Sequence, residues 1–307
     1  MIVRVLSIFA GVLVWLGQAA TAAEISYHPR STPKRADTVV ASFSGKPLLR
    51  MGDVDQSLSI FYFNVARDIH RRQVEGMRAF LGAQLLAWEA QKQRKTIEEL
   101  LQTDGKGLAR EAYVGKLWRE AKIEIKLPEP ELPQVIVNER TTSPVLGLTD
   151  GPANVIEFCA FTNPACRDMW KTLGELVKKH GWKVRIVHRD YPQDPLSMTA
   201  AIAARCAQQQ GKFWRYHGVL YENQNKLDAE SLKGYARALN LDAGKFDGCL
   251  DKREPAQEIQ HDIDEGKAIG LSSVPALFVN TIYFPGDLPQ EKLAHLVESE
   301  VGRVERK

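Results

Sequence analysis

Residues 157–166 read Glu-Phe-Cys-Ala-Phe-Thr-Asn-Pro-Ala-Cys. The apolar run Val155 to Phe158 predicts a short strand into this stretch. Pro164 suits the first turn of a helix, and Asn163 before it is a good N-cap. The stretch is therefore a strand, a tight turn and the start of a helix that runs to about Lys179. Strand side chains alternate, so Glu157 and Cys159 share one face, opposite Phe158 and Ala160. Cys166 falls one turn into the helix. Unpaired N–H groups and the helix dipole stabilise a thiolate at a helix N-terminus. Here that place holds an amide, which cannot attack a disulfide.

Outward from the turn, Lys183 to His188 reads as a second strand. Helices follow at 197–209, 212–222, 229–239, 244–250 and about 254–268. Ala276 to Asn280 and Thr281 to Phe284 read as two strands joined by a turn, and a last helix opens near 288. Three further segments stand out: Arg189-Asp190-Tyr191-Pro192, Gln210-Gly211-Lys212-Phe213-Trp214 with Tyr216-His217, and Ser273-Val274-Pro275-Ala276-Leu277-Phe278-Val279-Asn280. Together with 157–166, in this order, they resemble the DsbA-like thiol–disulfide oxidoreductases. The resemblance implies an α/β class: a thioredoxin fold with the DsbA-type helical insertion, preceded by a mostly helical N-terminal domain.

The resemblance also assigns roles. Asn163 stands at the lost nucleophile position of the family's Cys-Pro-x-Cys. Cys166 stands at the resolving cysteine, and Glu157 at the buried acid that moves its proton. Val274 and Pro275 match the cis-proline loop, against which an extended peptide pairs like an added strand. Cys206 and Cys249 fall in the insertion, where some relatives carry a structural disulfide. Free buried thiols or another partner are the alternatives. If the family geometry holds, Cys159 faces the helix that carries Cys166, so those two form a disulfide or stay as buried thiols. Kappa-class glutathione transferases share the insertion but usually carry Ser at the Asn163 position.

Residues 1–23 have a basic start at Arg4, an apolar run from Val5 to Leu16 and the small-residue end Ala20-Thr21-Ala22-Ala23. That pattern predicts a cleaved signal peptide and a periplasmic protein with no membrane segment after cleavage. Residues 24–126 form the expected helical domain, 127–153 a Pro-rich linker and entry strand, and 154–307 the DsbA-like domain. In the first of these, Val39 to Phe43 and Leu48 to Met51 predict a strand–turn–strand, with Asp53 capping the next helix. Val54, Leu58, Phe61, Tyr62 and Val65 share one helix face, and Val74, Met77, Leu81, Leu85 and Trp88 a face of a second helix. Thr96-Ile97-Glu98-Glu99 fits a capping box, and a last helix covers about 108–122. The segment from Ser44 to Leu101 resembles the N-terminal helical segment of SurA-like periplasmic chaperones. Its apolar stripe of Phe61, Tyr62, Leu81 and Trp88 is a candidate surface for clients or self-association.

The net charge of +3 comes from scattered Lys and Arg, which gives no nucleic-acid signature. Arg67, Arg71 and Arg72 read as a solvated helix face. The expected partners are unfolded or cysteine-containing exported proteins and a second copy through the N-terminal domain. No cofactor is expected. His180, His188, His217 and His261 lie far apart in sequence with no ligand spacing, so no metal site is expected either. No Gly-x-Ser-x-Gly elbow is present. The family implies thiol–disulfide exchange, and Asn163 argues for weak exchange or for redox-silent peptide binding instead.

Overall fold

In the computed structural model, residues 37–43, 46–104, 109–148 and 151–305 are described. The expected signal peptide lies outside them. Strands β4 (Ala153–Cys159) and β5 (Val184–Asp190) are rich in apolar residues, as strands covered on both faces are. They pair in parallel, which sets Glu157 opposite His188 and Cys159 opposite Asp190. The crossover between them is helix α4 (Pro164–His180). The sheet runs β3-β5-β4-β6-β7, with β3 at Val145–Leu146, β6 at Ala276–Val279 and β7 at Ile282–Pro285. Helices α5 (Pro195–Gln208), α6 (Phe213–Glu222), α7 (Ala229–Ala238), α8 (Ala243–Asp251) and α9 (Ala256–Ala268) form the insertion, and α10 (Gln290–Glu305) closes the domain. This is the thioredoxin fold with a DsbA-type insertion that the motifs imply.

Two cores flank the sheet. Val155, Met169, Leu173, Ile186, Leu277 and Val297 pack between the sheet and α4 and α10. On the other side Ile156, Phe158, Phe278, Ile202 and Tyr216 pack with the insertion. Ile60 and Phe63, from far up the chain, belong to this second core. The thioredoxin-like part is thus completed by the N-terminal region.

That region holds a hairpin of β1 (Val39–Phe43) and β2 (Lys46–Arg50), then helices α1 (Met51–Gln93), α2 (Ile97–Thr103) and α3 (Arg110–Ala121). The expectation of two helices over this span is corrected: α1 is one helix of 43 residues, about 65 Å long. Between Val65 and Val74 no Pro occurs, and an (i,i+4) pair of Asp68 and Arg72 spans the stretch. Its two apolar faces serve different partners. Ile60 and Phe63 enter the thioredoxin-like core, while Leu86 and Ala90 pack with Leu100, Tyr113 and Leu117. Between these ends Ile69 and Phe80 are exposed. Asp53 sits at the third helical position and accepts from Arg50 N–H at 2.8 Å, so it caps from inside the helix. Thr96 and Glu99 form the expected reciprocal capping box.

The Pro-rich stretch is docked rather than loose. Val135 N–H donates to Thr281 O at 2.7 Å and Tyr283 N–H to Pro133 O at 2.9 Å, which lays residues 133–135 along the edge of β7. Edge positions tolerate prolines because their missing N–H need not join a ladder. Arg67, read as part of a solvated face, makes a bidentate pair with Asp287 at 2.8–2.9 Å.

Candidate functional site

Asn163 is the N-cap of α4, and its side chain works in two directions. Oδ1 accepts from Ala165 N–H at 2.9 Å, and Nδ2 donates to Val274 O at 2.8 Å. The second bond spans to the loop of the Val274–Pro275 peptide, which is cis. Gly286 N–H donates to Pro275 O at 2.9 Å from the far side. A Cβ at Gly286 would lie 2.2 Å from Pro275 Cγ, so only glycine fits there. Gln224, just past α6, donates from Nε2 to Phe161 O and Asn163 O at 2.7 and 3.0 Å. The helix N-terminus, the turn before it and the cis-proline loop are thus tied together, and Asn163 is the central tie.

Cys166 and Cys159 form a disulfide with Cα atoms 5.8 Å apart. Both are buried, at 0% and 1% exposure. Ala160 N–H points at Cys166 Sγ at 3.4 Å. Cys206 on α5 is joined to Cys249 on α8, with Cα atoms 5.9 Å apart. No free cysteine remains.

Glu157 is fully buried and meets two imidazoles. His188 Nδ1 lies 3.0 Å from Glu157 Oε1, and His217 Nε2 lies 3.7 Å from the same oxygen. Burial alone raises the Glu157 carboxyl, but the neighbouring His188 and His217 outweigh it and hold it at about 2. Burial pushes His188 down, and bonding to Asp190 and Glu157 reverses this to about 9. At His217 burial outweighs the pull of Glu157 and Asp190 and takes it to about 4. Behind His188, Asp190 Oδ1 stands 3.2 Å from Nε2. Asp190 accepts from Arg205 Nε at 2.5 Å, and Arg205 Nη2 reaches Asp262 at 2.7 Å. Arg189 Nε donates to Asp262 at 2.6 Å and also pairs with Glu265.

This network corrects the expectation that the histidines stay apart. The rings of His188 and His217 have centroids 5.1 Å apart. His180 instead lies beside Glu298, and His261 beside Arg140. His188, His217, Arg205 and Asp262 went unremarked as site residues in the sequence. The available signal was a charged residue in each of two neighbouring buried strands, since buried charge demands a partner.

The fold thus brings together a helix N-terminus capped by Asn163, the cis Val274–Pro275 loop and the buried acid Glu157. Residues 139–299 match the family model described as Thioredoxin. The chain belongs to that family and is similar to DsbA-like thiol–disulfide oxidoreductases. It is 33% identical over 158 residues to the Na(+)/H(+) antiporter NhaA 3 of Salinispora tropica, a match covering 50% of this chain and 24% of that protein. The chain thus spans about a quarter of that relative's length. It is 27% identical over 154 residues to the probable disulfide bond formation protein D of Bacillus anthracis, covering 46% of this chain and 70% of the relative. Wolbachia pipientis alpha-DsbA1 shares the fold with a TM-score of 0.50 at 17% identity, over 55% of this chain and 96% of that one.

Proposed function

We propose that the protein binds unfolded or cysteine-containing exported polypeptides without exchanging their disulfides at the helix N-terminus. The observation that carries this reading is Asn163. It caps α4 and bonds to Val274 O, and the two cysteines of the site, Cys159 and Cys166, are buried at 1% exposure or less. Exchange needs an accessible thiolate, and none is offered. Client contact falls to the cis-proline loop and to α1. There Phe61 and Trp88 of the anticipated stripe are exposed, with Ile69 and Phe80 between them, while Tyr62 and Leu81 are half-buried. Apolar side chains exposed along one helix suit an unfolded chain or a second copy of this helix. Export to the periplasm rests on the signal-like residues 1–23.

A second reading, exchange through Cys159–Cys166, is favoured by the bond between them and by Glu157 on the same strand face. Turnover of a model disulfide protein separates the two. Under the first reading the native protein stays near background, Cys166→Ala changes nothing, and Asn163→Cys raises turnover well above native only when combined with Cys159→Ala, which frees Cys166 to pair with it. Strong native turnover that vanishes in Cys166→Ala would establish the second reading.

A further inference from the structure

Beneath the disulfide lies a group of polar atoms with too few partners. Glu157 Oε2, both ring nitrogens of His217, the Tyr221 hydroxyl and Gln224 Oε1 are buried and make no hydrogen bond among the described residues. Each such orphan is costly, because its lost hydration is not replaced. Tyr221 lies one turn beyond His217 on α6, with ring centroids 4.7 Å apart. Tyr221, His217 and the Glu157 carboxylate therefore adjoin one another.

Three of the donors converge. A carboxylate oxygen of Glu157 and one nitrogen each from His188 and His217 lie within 4.8 Å of one another, and all three residues are buried. The separations from Glu157 Oε1 are 3.0 Å to His188 Nδ1 and 3.7 Å to His217 Nε2. Ligands bound tetrahedrally at about 2.0–2.1 Å from zinc stand about 3.3–3.4 Å from each other, between these two values. The surroundings match as well. A metal-bound histidine usually turns its other nitrogen to a carboxylate that fixes its orientation. His188 Nε2 faces Asp190 in this way, and Arg205 holds Asp190 in turn.

The donor chemistry points to the same occupant. The carboxylates of Glu157, Asp190 and Asp262 are buried with the guanidiniums of Arg189 and Arg205, and half-buried Glu265 closes the network. Imidazole with carboxylate is a borderline donor set that suits zinc and its neighbours rather than calcium or magnesium.

We propose that Glu157, His188 and His217 form a binding site for a divalent transition-metal ion, with zinc as the natural occupant. The ion joins strand β4, strand β5 and helix α6, with His217 packed against Trp170 of α4. Three protein donors leave a fourth place for water beside the Tyr221 hydroxyl. Because the donors are closed to solvent, the ion enters as the chain folds, and binding is coupled to folding. The inference does not depend on whether the disulfide above it exchanges.

The test uses the full chain, unfolded with its disulfides intact in denaturant and chelator, then refolded with Zn²⁺ or Co²⁺ alone and passed through gel filtration. The expected result is about one retained ion per chain, visible absorption bands of four-coordinate Co²⁺, and a melting temperature several degrees above the chelated protein. His217→Gln keeps a polar side chain of similar reach and is expected to lose the ion and the bands. A native protein that refolds without retaining Co²⁺ or showing its bands overturns the proposal, whatever the variant does. Retention equal in native and His217→Gln also overturns it, since the metal then sits on other histidines.

Discussion

Replacing Asn163 separates its two bonds. Asn163→Ser keeps an N-cap oxygen but is too short to reach Val274, whereas Asn163→Ala removes both contacts. A cap is worth about 1 kcal/mol, and a partly buried neutral hydrogen bond about 1 kcal/mol more. The expected losses are therefore about 1 kcal/mol for Ser and about 2 kcal/mol for Ala. In a domain of this size these correspond to melting temperatures lower by about 2–4 °C and 4–8 °C. Calorimetry of native, Ser and Ala proteins at one pH measures both steps. Both variants also free Val274 O, so each should bind an extended fluorescent peptide more tightly than the native protein does. Equal melting temperatures for Ser and Ala would show that the cap contributes nothing. Melting unchanged in both would refute the claim that Asn163 ties the helix to the cis-proline loop.

Other consequences follow from the same structure. In metal-free protein the His188 contribution is complete below its ordinary value of 6.5 and is lost as pH rises towards about 9. His217 contributes fully above 6.5 and loses this as pH falls towards about 4, with Glu157 adding a further loss between 4.5 and about 2. Stability measured in urea with chelator present should peak near pH 6.5, and His217→Gln should flatten the decline between pH 6.5 and 4; a decline unchanged in that variant assigns it elsewhere. Removing the Cys206–Cys249 bond, at a sequence separation of 43, should cost about 4 kcal/mol in the chain-entropy model, and a urea midpoint unmoved in the double Ala variant would contradict this. Gly286→Ala forces a methyl against Pro275 and should destabilise by about 2–3 kcal/mol, with chemical shifts moving at Val274 and Asn163; a silent substitution would mean that the loop is not held as described.

The active-site stretch was legible because its residues act locally. Pro164 and Asn163 start a helix wherever they stand, and Thr96 with Glu99 does the same for α2. The continuity of α1 was not legible, because its apolar face turns from one partner to another along its length. In sequence that change of face looks like a break, although the backbone between has no reason to stop. The docking of residues 133–135 on β7 was also hidden, since it rests on backbone groups alone. The Glu157–His188–His217 group needed the strand register that sets Glu157 opposite His188, and the return of α6 over the sheet. No spacing along the chain announces either.

The central claim is that the site offers no exchangeable sulfur. It is tested most directly by mapping thiols in folded protein equilibrated with graded ratios of reduced to oxidised glutathione, trapped by alkylation and read by mass spectrometry. The account predicts that Cys159–Cys166 and Cys206–Cys249 both stay closed until the protein unfolds, because the sulfur-bearing residues are buried. Selective opening of Cys159–Cys166 in the folded protein, with transfer of the disulfide to a client dithiol, would contradict it.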